Sequence, residues 1–215
     1  MPISFDILLN AFVTLLVTVD PIGTMPIFLA ITAGMSTAAR RSVAIRGIVV
    51  AFLILGLFTL TGTGILDIMG ITIDAFRVAG GLLLFYTAFE MLYAKRQERK
   101  AKVSEAALHE HIANLAVFPL AIPLLAGPGA ISASIMLSSQ LGEATGSHWH
   151  GVLILLGIIV VLLVLTLVIL ISAQVVDRFL GETGRMLLTR LLGVLLAALS
   201  VQYVADGARA LFGNG

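Results

Sequence analysis

The stretch "TVDPIGTMPIF", Thr18 to Phe28, sets an acid, two prolines and a glycine in the middle of an otherwise apolar run. Ile7 to Ala39 carries no charge except Asp20. A second uncharged run, Ile112 to Gly142, is interrupted in the same manner by Pro119, Pro123, Gly127, Pro128 and Gly129. As straight helices, runs of this length would extend about 47 to 50 Å, against a hydrocarbon core of about 30 Å. Proline removes a backbone donor and glycine permits the dihedrals needed to leave and re-enter a helix. Both segments are therefore predicted to break near mid-membrane, leaving backbone groups that must be buried in protein or line a polar cavity.

The whole composition agrees with a bilayer as solvent. Of 215 residues, 59% are hydrophobic and only 12% are charged, far below an ordinary soluble domain. Apolar segments predict six spans, at about 7 to 32, 46 to 66, 76 to 94, 113 to 140, 151 to 173 and 187 to 211. All Lys and Arg except Arg77 and Arg209 fall on one side if the N-terminus lies outside, which predicts both termini outside. Residues 95–111 then form a cytoplasmic connecting loop. Basic residues gather between spans and form no stripe, so nucleic acid is not a partner. Cysteine is absent, which removes disulfides, thiolate metal sites and a Cys nucleophile. No metal or cofactor is expected: the "HWH" of His148 to His150 lacks a third ligand nearby, and His109 and His111 fare no better.

The two halves echo one another. Arg77 to Leu83 and Arg190 to Leu196 share R-x-x-G-x-L-L, and Asn10 precedes Gly23 by the same spacing as Asn114 precedes Gly127. Each half reads as a long interrupted span, a plain span and a short span opening on Arg. Three crossings are an odd number, so a second copy must run with inverted topology. The expected fold is an all-α integral membrane protein of six transmembrane helices. Its two inverted three-helix repeats, 1–94 and 112–215, have broken first and fourth helices.

Broken spans present half-helix ends, with partly positive amides at one and partly negative carbonyls at the other. Such ends suit a small zwitterion, its carboxylate on the amides after Gly127 and Gly129 and its ammonium near Asp20, with Gly23 and Thr24 beside it. Asp20 is also a good N-cap for a helix starting at Pro21. Glu90, about 20 Å of rise after Arg77, approaches the cytoplasmic end and is read as snorkelling, or as a second coupling group beside Asp20. Arg77 and Arg190 are read as headgroup anchors or as partners of Asp74, Asp67 or Asp206. Gln202 is read as a buried amide that either joins helices or lines the site.

"DPIGTMPIF", "FPLAIPLLAGPGAIS" and "RLLGVLLAALSVQYVADG" together resemble the MarC family, also described as a six-span neutral amino acid transporter family. The resemblance covers nearly the whole chain and is most specific in the fourth span. It implies a bacterial or archaeal inner-membrane protein and carriage of small neutral amino acids such as glycine and alanine. Family members often carry Asn where this chain has Thr24. A secondary transporter working by alternating access is the leading expectation, with possible proton coupling through Asp20 or Glu90. The alternatives are an exporter or channel for other small solutes and a non-transporting structural membrane protein. Enzymatic activity is not expected, because buried acid, base and nucleophile groups are few.

Overall fold

The computed structural model describes residues 4–93, 95 and 115–213. Most of the connecting loop, with His109 and His111, lies outside the described residues, as does Asn114 at the start of the second repeat. The chain forms α1 (Phe5–Val19), α2 (Pro21–Ile31), α3 (Thr37–Ile68) and α4 (Ile73–Leu92). An irregular coil follows at Ala116–Leu125, then α5 (Pro128–Thr145), α6 (His148–Ile171) and α7 (Ala173–Phe212). Among the described residues there is no strand. Five helical stretches are long and apolar enough to cross a membrane, and a sixth is counted if the coil and α5, bent by 59°, form one span.

The helices start where side chains replace missing intrahelical partners. Ser36 Oγ accepts from the Ala39 amide at 3.3 Å and Thr72 Oγ1 from the Ala75 amide at 3.2 Å. The Phe5–Ile31 span is 67% buried, whereas the more apolar α6 is 33% buried. The plainest helix thus faces lipid, as its composition predicts, and the interrupted span occupies the interior. On α5 every residue from Ser132 to Ser138 is buried, because α1, α3, α4 and α6 all pack on it.

The most extensive contact joins α4 to α7. Gly81 lies against Val204 and the Ser200 carbonyl, Gly193 against Met91 and the Ala88 carbonyl, and Gly207 against the Asp74 carbonyl. Low numbers on α4 meet high numbers on α7, so the two helices run antiparallel at close range. The sequence places a sixth span at 187–211, but helix begins already at Ala173. Its first turns fold back at Gly181, whose φ of 62° and ψ of −179° suit glycine alone. An Asp177–Arg185 ion pair closes that bend.

Arg77 is tied down rather than free among headgroups. It meets Asp74 at 3.2 Å and Glu143, at the far end of α5, at 2.6 Å. Asp74 was among its expected partners; Glu143 was not, because only the tertiary fold brings the end of α5 beside the start of α4. Arg190 is exposed on α7.

Replacing Gly81 with Leu forces a side chain into space where even a Cβ would lie 3.0 Å from the Ser200 carbonyl. This overpacking should cost about 1–3 kcal/mol. Thermal unfolding in detergent checks it: Gly81→Leu melts lower than the parent, while Gly64→Ala, whose Cβ meets nothing within 4 Å, does not.

Candidate functional site at the crossing of two broken spans

At the first break Asp20 adopts φ 53° and ψ 66°, the only positive φ of a non-glycine residue among the described residues. Asp and Asn tolerate this left-handed conformation better than other side chains. The Asp20 amide donates to the Leu16 carbonyl at 3.0 Å and ends α1. Its carbonyl accepts from Thr24 N–H at 3.0 Å, and its carboxylate Oδ1 accepts from Gly23 N–H at 3.0 Å, so the same residue starts α2. Pro21 supplies the first helical position and has no amide to satisfy. Gly23 is required by the carboxylate folded over it, since a Cβ there would lie 2.2 Å from Asp20 Oδ2.

The second break is longer. Phe118 and Ile122 are extended, and each precedes a cis peptide bond to Pro119 and Pro123 respectively. The coil closes with an Ala126 N–H to Ala121 carbonyl bond of 2.8 Å. Gly127 is then the N-cap of α5, with no side-chain cap, and Pro128 is its first residue. Val117, Phe118 and Ile122 turn their side chains outward, while Pro119, Pro123 and Pro128 bring no N–H into the break. A Cβ at Gly127 would lie 2.7 Å from the Pro123 carbonyl, so glycine permits the chain to double back there.

These geometries change the match between the halves. Asparagine spacing aligns Gly23 with Gly127, but by backbone role the N-cap and proline pair Asp20–Pro21 corresponds to Gly127–Pro128. One half caps its inner helix with a carboxylate. The other leaves the first amides of α5 without a side-chain cap.

The two interrupted spans pack on each other half by half. Helix α1, before the first break, packs on α5, after the second; α2 packs on the coil of Ala116–Leu125. Asp20 is 1% exposed and Thr24 is fully buried. Gly129, at the start of α5, faces α4, where its Cβ would lie 3.2 Å from Thr87 Oγ1. Glu90 follows Thr87 by three residues, about one turn, and is 3% exposed. It does not snorkel: it shares α4's buried residues with Leu84, Thr87, Ala88 and Met91. An apolar groove of 500 Å³ runs between α4 and the second break, lined by Phe76, Gly80, Leu83, Pro123 and Ile131, with Ser132 as its polar group.

Of the sequence-predicted residues, the fold gathers Asp20, Gly23 and Thr24 at the first break and Gly127 and Gly129 at the second, with Glu90 on the adjoining helix. Gln202 does not join them. It is exposed, and its amide donates to Asp206 of its own helix at 2.8 and 3.0 Å. Its neighbour Tyr203 is buried instead, and the Tyr203 hydroxyl donates to Asn10 Oδ1 at 2.8 Å and lies 3.4 Å from Thr14 Oγ1. One residue along a helix is a rotation of about 100°, which exchanges an inward for an outward side chain. The asparagine spacing marked Asn10, but nothing in the sequence marked its bond to α7.

The two roles of Asp20 separate by substitution. Asp20→Ala removes the acceptor for Gly23 N–H and should lower stability by about 1 kcal/mol, the usual worth of an N-cap. Asp20→Asn keeps an acceptor oxygen and should melt within a degree or so of the parent by the same cap argument. Thermal unfolding in detergent distinguishes a cap from a position that needs charge.

A family model described as MarC family integral membrane protein matches residues 5–212. Among curated relatives, a UPF0056 membrane protein of Archaeoglobus fulgidus is 37% identical over 199 residues, 92% of this chain and 90% of the relative. The UPF0056 membrane protein YvbG of Bacillus subtilis is 34% identical over 209 residues, covering 97% of each chain. YhcE of Escherichia coli, also a UPF0056 membrane protein, is 33% identical over 215 residues, 97% of this chain and 95% of the relative. No solved structure gives a significant match.

Proposed function

The chain belongs to the MarC family of integral membrane proteins, and from that premise we propose that it is a secondary transporter of small neutral amino acids of the glycine and alanine class. The observation that carries this reading is the packing of two broken spans on each other half by half, with Asp20, Thr24 and Glu90 each buried within the protein. A static membrane scaffold has no need of helix ends at that depth. A carrier uses them as fixed partial charges for a substrate that has left water.

In this reading the substrate carboxylate lies against the uncapped amides after Gly127 and Gly129, and its ammonium faces the carbonyl end of α1 and the Asp20 carboxylate. Gly129 and its neighbour Thr87 leave space for a small side chain only. Asp20 already caps α2, so the proton-coupling role is assigned first to Glu90, a carboxyl group on the helix beside the α5 terminus. No cofactor takes part and no covalent step is involved.

Alternating access is proposed to arise from two inverted three-span repeats. The antiparallel packing of α4 on α7 supports this, since those helices carry the matching R-x-x-G-x-L-L segments. Contacts of α3 with the coil and of α4 with α5 have counterparts in α6 with α1 and α7 with α2. The Asn10–Thr14–Tyr203 hydrogen bonds join the two repeats on the N-terminal side of the first break and would have to part when that side opens. The proposed setting is the inner membrane of a bacterium or archaeon with both termini outside.

Uptake of labelled glycine and alanine into proteoliposomes tests the proposal. The expected result is saturable uptake with counterflow, abolished by Gly129→Val in protein that still gives a cooperative melting transition in detergent. No uptake above empty liposomes under any proton or sodium gradient overturns it for these substrates. In the same assay Glu90→Gln should retain exchange at equal concentrations while losing acceleration by a pH gradient.

A further inference from the structure

Gln202 and Asp206 are exposed on a face of α7 that no other helix covers among the described residues. Gln202 is about 15 Å along the axis from Phe212 and about 22 Å from Leu187, and it is at the level of Gly81 on α4 through the α4–α7 register. Polar side chains at such positions in a membrane helix normally meet a polar partner, because lipid tails offer none. Leu191, Leu195, Ala198, Gln202, Asp206 and Arg209 recur at steps of three and four residues and are all exposed. They form one stripe along α7. The middle stretches of two other long helices differ: the exposed residues Val49, Leu53, Leu57 and Leu60 on α3, and Val160, Val161, Val164 and Val168 on α6, are apolar.

The stripe is complementary to itself. Gln202 carries both donor and acceptor. Asp206 and Arg209, whose side chains are 47% and 81% exposed, stand 3.9 Å apart in a loose pair with both charge signs available. We propose that this stripe is the interface of a two-fold homodimer whose axis runs along the membrane normal. Copies in one membrane share an orientation, so a two-fold axis sets the face against itself in parallel. Ala198 lets the backbones approach, as small residues do at membrane helix contacts. The Gln202 amides hydrogen-bond reciprocally across the axis, and Arg209 of each copy reaches Asp206 of the partner subunit. Within one copy the Gln202 amide and the Asp206 carboxylate bond to each other, and the dimer exchanges this local bond for partners across the axis.

The chain contains no cysteine, so single-cysteine variants of the full protein report without background. Membranes carrying Gln202→Cys, Ala198→Cys or Leu53→Cys are treated with a mild oxidant and resolved without reductant. The dimer predicts strong crosslinking at 202 and 198 and little at Leu53 on the apolar face of α3. It also predicts a mass of two copies in mild detergent that falls to one copy in Ala198→Phe. Absent crosslinking at 202 and 198, crosslinking equal to that at 53, a parent mass of one copy, or a mass of three or more copies overturns the two-fold interface. Transport plays no part in these readouts, so the interface stands or falls separately from the proposed activity.

Discussion

A backbone amide or carbonyl inside a bilayer must find a partner within the protein, and the architecture of this chain follows from how its two breaks meet that demand. At Asp20 one residue closes α1 through its amide and opens α2 through its carbonyl and carboxylate. At Ala116–Leu125 the chain instead brings prolines into the break, leaving fewer donors to satisfy, and folds Ala126 back onto Ala121. Neither solution could face lipid. Burying both gives α5 a central position, with α1, α3, α4 and α6 packed on it.

That burial also concentrates the polar groups. Asp20, Thr24, Thr87 and Glu90 are all covered by protein, although each stands in a segment whose mean character is apolar. The difference between the two breaks is chemical as well as geometric, because one helix start is capped by a carboxylate and the other by a glycine. This asymmetry distinguishes two otherwise similar breaks: one helix start faces a carboxylate and the other does not.

Much of this was legible in the sequence. Segment lengths demanded broken spans and the breaker residues located them; of the two charge-free runs expected to face lipid, α6 is largely exposed, whereas α3 is more buried than α4 and α7. The quoted motifs identified the family. What misled were positions whose meaning depends on a neighbouring helix. Glu90 looked like a snorkelling residue because only its distance from the helix end could be read, whereas packing covers it. Gln202 looked like the buried amide of α7, but that position belongs to Tyr203, and a leucine-rich helix with small residues on several sides does not show which face its partners take.

The sequence by itself determined that the chain crosses a membrane, where the crossings break and that Asp20 could begin a helix, since these follow from local chain stiffness and from hydrophobic length. Only the tertiary structure decided that the two broken spans pack on each other half by half, that Arg77 pairs with Glu143 and that Asn10, Thr14 and Tyr203 join α1 to α7. Those contacts depend on the relative rotation of helices. A few tens of degrees about a helix axis exchange one partner for another while leaving the hydrophobic pattern of each segment unchanged.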